Sequence, residues 1–379
     1  MTVGTAAKKP WGLGWEAAAF LVLLLYPVFP AYESAFFAVT GRSLGDQLPT
    51  VFIFAVLALG LNVVVGYTGI LHLGIAAFFA IGAYAAGILT VASYPFGANF
   101  VVSLVVGTVA AAVAGLLLGA PTLRLRGDYL ALVTLGFGEV VKVFLKNAEE
   151  ITAGTRGLSP VPPPTENLRW LDWTSDYRPF YYLTLGFLVA AYLLLRNVER
   201  SRLGRAWVAL REDELAANCT GLNPAKLKLA AFALGAGLAG LAGVLYATRL
   251  TSTSDPNAYD FNRSIFLICC LILGGLGSRP GVLLGVFLLM GFDNIFSPIL
   301  DTVIQERVPG AGEKVYLTFT GWRLMVFGLA LIVMMRVRPE GIIPSVRVKH
   351  ELHPDEAVAG AVEPITLPGS CERPNGGPA

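Results

Sequence analysis

The sequence predicts an all-α, polytopic membrane protein of about ten transmembrane helices, and three observations carry that prediction. Charged residues make up only 14% of the 379 positions, where a soluble globular protein carries about 25%. Hydrophobic residues reach 55%, and the mean hydropathy is +0.64. Glycine is abundant, at 42 residues, without a collagen period. Glycine in an apolar chain permits close helix packing. A soluble multidomain enzyme needs more charge than this to cover its water-facing surface. A disordered chain needs low hydrophobicity and high charge. A net charge of +2 gives no basic face for nucleic acid.

A bilayer-crossing helix needs about 20 mostly apolar residues. Ten candidates follow in order: 16–36, 48–66, 70–93, 98–120, 128–146, 179–196, 228–249, 263–277, 281–299 and 320–336. The first contains the apolar run Ala17 to Phe29 behind Lys8 and Lys9. No small-x-small cleavage site comes directly after that run, so it reads as an uncleaved span. The second and third meet at Gly66-Tyr67-Thr68-Gly69. The eighth and ninth meet at Gly277-Ser278-Arg279-Pro280-Gly281. Glycine-rich turns of this kind mark short or re-entrant helices, tolerated inside a bundle or beside a water-filled cavity.

Orientation follows the basic residues. With the N-terminus in the cytoplasm, Arg124 and Arg126 fall in a short inner loop, and Arg336 and Arg338 follow the last span. An even span number then places both ends inside. The domain reading is a cytoplasmic segment over 1–15, a transmembrane domain over 16–340 and a disordered cytoplasmic tail over 341–379. The outer loop 147–178 carries Pro160 and Pro162 to Pro164, which favour an extended segment. Its Trp170, Trp173 and Tyr177 suit an interfacial belt.

Charge returns in the inner loop 197–227. It holds Arg200, Arg202, Arg205, Arg211 and Lys226 against Glu199, Glu212, Asp213 and Glu214. Arg205 to Cys219 has no helix breaker. Trp207, Leu210, Leu215 and Cys219 fall near one face. Gly221 suits a helix stop and Pro224 prevents continuation. The expectation is a short amphipathic helix or helix pair on the cytoplasmic surface. The plain alternative is a solvated connector lying on the membrane.

The set of motifs resembles the LivM-type permeases of branched-chain amino acid ATP-binding-cassette (ABC) importers. Glu214, Ala216, Ala217 and Gly221 resemble that family's Glu-Ala-Ala-x-x-x-Gly loop, with Leu215 inserted. Further matches are Leu59 to Gly69, Leu123 to Glu139, Ser201 to Trp207, Arg211 to Ala217, Leu273 to Ser278 and Arg338 to Ile342. The resemblance covers about residues 45–345. The departures are the section before residue 45, the proline run at 160–164 and the tail. The resemblance implies an ABC importer permease fold with a cytoplasmic coupling helix, docked in a groove of a separate ATPase. Glu214, Ala216, Ala217 and Gly221 would make that contact, with Arg211, Glu212 and Asp213 at its rim. It also implies a second, LivH-like permease, two ATPase subunits and an extracellular or periplasmic binding protein. That protein would dock on outer loops among 147–178, 250–262 and 300–319. The implied location is the bacterial inner membrane.

No G-x-x-x-x-G-K-[ST] phosphate loop occurs; Gly310-Ala-Gly-Glu-Lys314 lacks the spacing and the hydroxyl. ATP and magnesium are therefore expected on the partner ATPase, and no cofactor or metal is expected in this chain. Cys219, Cys269, Cys270 and Cys371 read as small apolar fillers.

Polar groups at membrane depth are functional candidates. Glu139 and Lys142 are spaced for an i, i+3 ion pair. Asp293 could line a cavity or cap a broken helix. Asn62 fits an interhelical hydrogen bond, and His72 senses pH, contacts substrate or sits satisfied at an interface. Gly274 and Gly275 could unwind a half-helix. These six positions, Asn62, His72, Glu139, Gly274, Gly275 and Asp293, are the candidate path. Urea or short amides are the alternative substrates. An ion-coupled carrier would need more buried ionisable groups. An intramembrane enzyme would need paired Asp, Ser with His or Lys, or a His/Glu metal set.

Overall fold

The structure is a computed structural model that describes residues 13–28, 43–122, 128–164, 176–297, 319–338 and 340–343, with Phe37, Trp173 and Ile299 as single positions. Part of the first expected span, Arg124, Arg126, Trp170, residues 300–318 of the outer loop and the tail beyond 343 lie outside the described residues.

The described residues are helical, with no strand among them. Their order is α1 (Leu13–Leu25), α2 (Leu44–Asn62), α3 (Ile75–Thr90), α4 (Phe100–Thr122) and α5 (Asp128–Asn147). Then come the single turn α6 (Glu149–Thr152), α7 (Arg178–Arg200), α8 (Arg202–Glu212), α9 (Glu214–Cys219) and α10 (Pro224–Leu250). The last are α11 (Phe261–Gly274), α12 (Arg279–Gly291) and α13 (Phe319–Val337). A π-helical turn extends α2 over Val63–Tyr67, and another extends α12 over Phe292–Phe296.

Among the described residues, four helices are long and apolar enough to cross a bilayer: Leu44–Tyr67, Phe100–Thr122, Arg178–Arg200 and Pro224–Leu250. The expected span 70–93 is shorter than predicted, because helix begins only at Ile75, after six residues of irregular chain from Gly69. The expected spans 263–277 and 281–299 yield helices of 14 and 13 residues. At 1.5 Å per residue, α11 is about 20 Å long, short of the roughly 30 Å hydrocarbon core, whereas α12 continues without a break through its π-helical turn to Phe296.

Helix α10 sits at the centre, against α2, α3 and α4. Its glycines explain how three helices reach it. A Cβ on Gly82 of α3 would collide with the Gly240 backbone, and one on Gly243 with the Phe79 carbonyl. A Cβ on Gly60 of α2 would stand 2.8 Å from the Gly235 carbonyl oxygen. Small residues therefore set the interaxial distances, as packing without a hydrophobic driving force requires. Helix α4 shows the same logic on one face. Ser103, Gly107, Ala111, Gly115 and Gly119 are buried, whereas Val105, Val109 and Leu117 on its other side are exposed.

Helix α2 is buried along nearly its whole length, from Val51 to Tyr67. Its first turn is capped by the Ser43 hydroxyl, which accepts from the Asp46 amide at 3.2 Å. Asp46 also pairs with Arg249 at the end of α10. That contact ties the starting end of α2 to the finishing end of α10. On the same side, residues 158–161 lie against 251–253. The Leu158 amide donates to Thr253 Oγ1 at 2.8 Å, and the Val161 amide to the Thr251 carbonyl at 2.9 Å. The proline run opening at Pro160 is thus held by the loop after α10, beginning from a cis Ser159-Pro160 bond.

Candidate functional site

The loop between α7 and α10 folds as two helices rather than one. Ser201 starts α8, its hydroxyl accepting from the Gly204 amide at 3.4 Å. Asp213 then interrupts the run. It adopts an extended backbone (φ −155°, ψ 112°). Its carboxylate accepts from the Leu215 amide at 2.7 Å and the Ala216 amide at 3.0 Å. An aspartate cap outcompetes continued helix here because it satisfies two donors of the next turn. The break corrects the single apolar face expected from spacing. Trp207 and Leu210 are buried, but Leu215 is 66% exposed and Cys219 also faces outward.

The residues expected to meet a partner therefore divide. Ala216, Gly221, Asp213 and Glu212 are exposed. Gly221 has φ +84° and stops α9 in the left-handed region that favours glycine. Ala217 turns inward, at 3% exposure. Glu214 reaches back to Lys228 of α10, with Nζ donating to Oε1 at 2.7 Å. Arg211 also points inward. Its guanidinium donates to the Gly66 carbonyl at 2.7 Å.

Trp207 lies one helical turn before Arg211 on α8. Its ring is fully buried and stacks on Tyr67 at 6.5 Å, and its indole N–H donates to the Leu227 carbonyl at 2.9 Å. Two side chains of one face thus grip adjacent residues of the π-helical turn that ends α2.

That turn meets a second interrupted segment. Asn62 is fully buried, and its Oδ1 accepts from the Gly277 amide at 3.0 Å. A Cβ on Gly66 would stand 2.8 Å from the same amide nitrogen. Gly277 belongs to the turn between α11 and α12. Gly275 opens that turn at φ 119°. The carbonyls of Leu273 and Gly274, at the end of α11, accept from the Ile342 and Ile343 amides, both at 3.0 Å. Arg279, at the start of α12, pairs with Glu199 of α7 at 2.6 Å and lies over the Tyr192 ring at 5.1 Å. The end of α2, both connections flanking α8 and α9, the α11–α12 turn and residues 341–343 therefore share one end of the bundle.

The structure does not bring all six path candidates together. Asn62, Gly274 and Gly275 belong to this end. Gly274 serves packing: a Cβ there would collide with the Gly281 carbonyl. His72 lies nearby, in the chain between α2 and α3, between the Phe78 ring at 5.6 Å and the Phe232 ring at 5.4 Å. It is 1% exposed, and neither ring nitrogen has a hydrogen-bond partner among the described residues. Glu139 forms the expected pair with Lys142, at 2.8 Å, on α5. Asp293 lies in the π-helical turn after α12. Among the described residues, no three His, Cys, Asp or Glu side chains gather as metal ligands.

Sequence reasoning gave no role to Glu199, Arg279 and Lys228. A lone lysine early in an apolar helix, and an arginine beside a glycine turn, were the signals that each needed a carboxylate. Gly66 was noticed only as a turn residue, although its carbonyl is the acceptor for Arg211.

Comparison with known proteins agrees with this architecture. Residues 44–335 match the family described as "Branched-chain amino acid transport system / permease component". The high-affinity branched-chain amino acid transport system permease protein LivM of Escherichia coli K12 is 38% identical over 331 residues, covering 82% of this chain and 72% of that protein. The corresponding LivH permease of Salmonella typhimurium LT2 is 24% identical over 301 residues, covering 76% and 91%. The ribose import permease RbsC of Escherichia coli K12 is 27% identical over 298 residues, covering 76% and 86%. No solved structure matches the chain. The extent of the family match, together with LivM-like identity across most of the chain, establishes that the protein belongs to the branched-chain amino acid transport permease family.

Proposed function

We propose that this chain is one of two membrane permeases in an ATP-driven importer that carries leucine, isoleucine and valine inward across the bacterial inner membrane. The observation that carries the reading is the LivM-like identity across 82% of the chain. The α8–α9 pair supports it physically. Leu215 stands 66% exposed on a charged surface loop, and an exposed leucine flanked by charge suits a protein groove. In this reading the end bearing α8 and α9 is cytoplasmic, both termini lie inside, and about ten spans cross the membrane. ATP hydrolysis belongs to two separate ATPase subunits. A LivH-like permease completes the pathway. An external binding protein selects the substrate and docks at the opposite end, where residues 148–161 and 251–260 are held together.

Co-expression with the ATPase, permease and binding-protein genes tests this. The permease should co-purify with the ATPase, and substitution at Leu215 or Gly221 should reduce that recovery. Isolation of the chain without any ATPase, with uptake unaffected by Glu214 and Gly221 substitutions, would refute it. Ligand binding by the partner binding protein decides between branched-chain amino acids and urea or short amides.

A further inference from the structure

We propose that Arg211 is the positioning residue through which α8 and α9 drive the membrane bundle, and that the π-helical turn at the end of α2 receives the stroke. This rests on the importer reading above and goes beyond it by naming the internal contact. Arg211 faces away from the exposed surface of α9 and donates to the Gly66 carbonyl at 2.7 Å. The last carbonyls of a helix lack intrahelical donors and carry partial negative charge, so a guanidinium is suited to hold one. Gly69 is shaped for the same side chain. At φ +70° it presents no Cβ, and a Cβ there would stand 2.9 Å from Arg211 Cγ. Trp207, four residues earlier on the same face, stacks on Tyr67 at 6.5 Å. The grip thus has two points, on Gly66 and on Tyr67.

The path continues from the turn. Gly66 abuts the Gly277 amide, which donates to Asn62 Oδ1 at 3.0 Å. Displacing α8 therefore displaces the turn of α2 against the turn joining α11 and α12. A second link runs from Glu199, one turn before α8, to Arg279 at 2.6 Å. It fixes the other side of the α11–α12 turn to the root of the loop.

The test uses the complete complex of both permeases and both ATPases. The four native cysteines of this chain are replaced, and Leu276→Cys, in the α11–α12 turn, serves as the reporter. Its thiol-labelling rate is measured with and without ATP. The expected result is a labelling rate that changes at least about threefold with nucleotide when Arg211 is present. In Arg211→Gln that dependence disappears, while ATPase recovery and the basal hydrolysis rate are retained. Arg211→Lys, which keeps a cationic donor, restores at least half of the nucleotide response. A merely structural role would shift thermal unfolding without this split between Gln and Lys. The proposal is overturned if Arg211→Gln responds to nucleotide like the parent, or if it fails to bind the ATPase, which would make Arg211 a docking residue. A parent that binds no ATPase refutes the importer reading itself. A parent that binds ATPase but shows no labelling change refutes the path through this turn.

Discussion

Lys228 sits in the second turn of α10 with 10% of its side chain exposed, facing Glu214, which is 34% exposed. A cation near a helix N-terminus opposes the helix dipole. Burial adds desolvation, so Lys228 depends on the carboxylate more than the carboxylate depends on it. The two deletions should therefore be unequal. Glu214→Ala strands a buried charge and should cost about 1–3 kcal/mol, discounted from the fully buried case for the exposure of its partner. Lys228→Ala leaves Glu214 free to face water and should cost under about 1 kcal/mol. A double-mutant cycle read by unfolding in detergent checks this, and equal costs would contradict it. The sequence marked Glu214 by its motif, but not its direction. Direction depends on the Asp213 cap, which turns α9 relative to α8 and leaves Leu215 rather than Glu214 facing outward. An aspartate that caps and an aspartate on a solvated helix face look alike in a string of residues. Asn62 and Glu139 were easier to read. A buried amide near a glycine turn needs a partner from another segment, here the Gly277 amide of the α11–α12 turn rather than a helix, and an i, i+3 pair is set by helix geometry alone.

At the scale of elements, glycine position decides packing. Gly82→Ala should drive a methyl into the Gly240 backbone and cost about 1–3 kcal/mol by overpacking. At Gly136 of α5 and Gly186 of α7, no described atom beyond the helix's own neighbouring backbone lies within 4 Å of where a Cβ would stand. Alanine there should be neutral or stabilising by up to about 1 kcal/mol, since glycine weakens a helix interior. Thermal unfolding of the three variants separates these cases. Leu215→Asp should leave the unfolding temperature unchanged and reduce ATPase recovery several-fold, because that side chain touches water in the isolated chain. A marked loss of stability would place Leu215 in the fold instead. The long spans were legible from apolar length: α4, α7 and α10 lie close to the expected ranges. Of the others, 263–277 lies close to α11 and 281–299 close to α12 with its π-helical turn, whereas helix in the expected 70–93 begins only at Ile75. Hydropathy registers apolar content, and Gly274 and Gly275 do not interrupt it. Whether the carbonyls of Leu273 and Gly274 find helical partners or the amides of 342 and 343 depends on chain far away in sequence.

Among the described residues, the interrupted segments and the charged α8–α9 loop gather at one end of the bundle. The long buried helices α2 and α10 form the rigid frame. The π-helical turn of α2, the α11–α12 turn, α8 and α9 and residues 341–343 meet beyond it. The scarcity of charge in the sequence located the membrane, and its return after α7 located this end. What charge density could not show was that Arg211 and Glu214 bind inward, leaving a smaller outward face of Leu215, Ala216 and Gly221. Such a face suits docking to a separate motor, while the arginine and glutamate tie it to the bundle. ATP-driven uptake of radiolabelled leucine is the most direct test of that arrangement. It requires proteoliposomes holding both permeases and both ATPases, with the binding protein outside. Uptake should need ATP in the compartment facing α8 and α9, stop without the ATPases, and fall at least about tenfold with Leu215→Asp. Leucine accumulation by this chain without ATPase subunits, or dependence on an ion gradient in place of ATP, would contradict it.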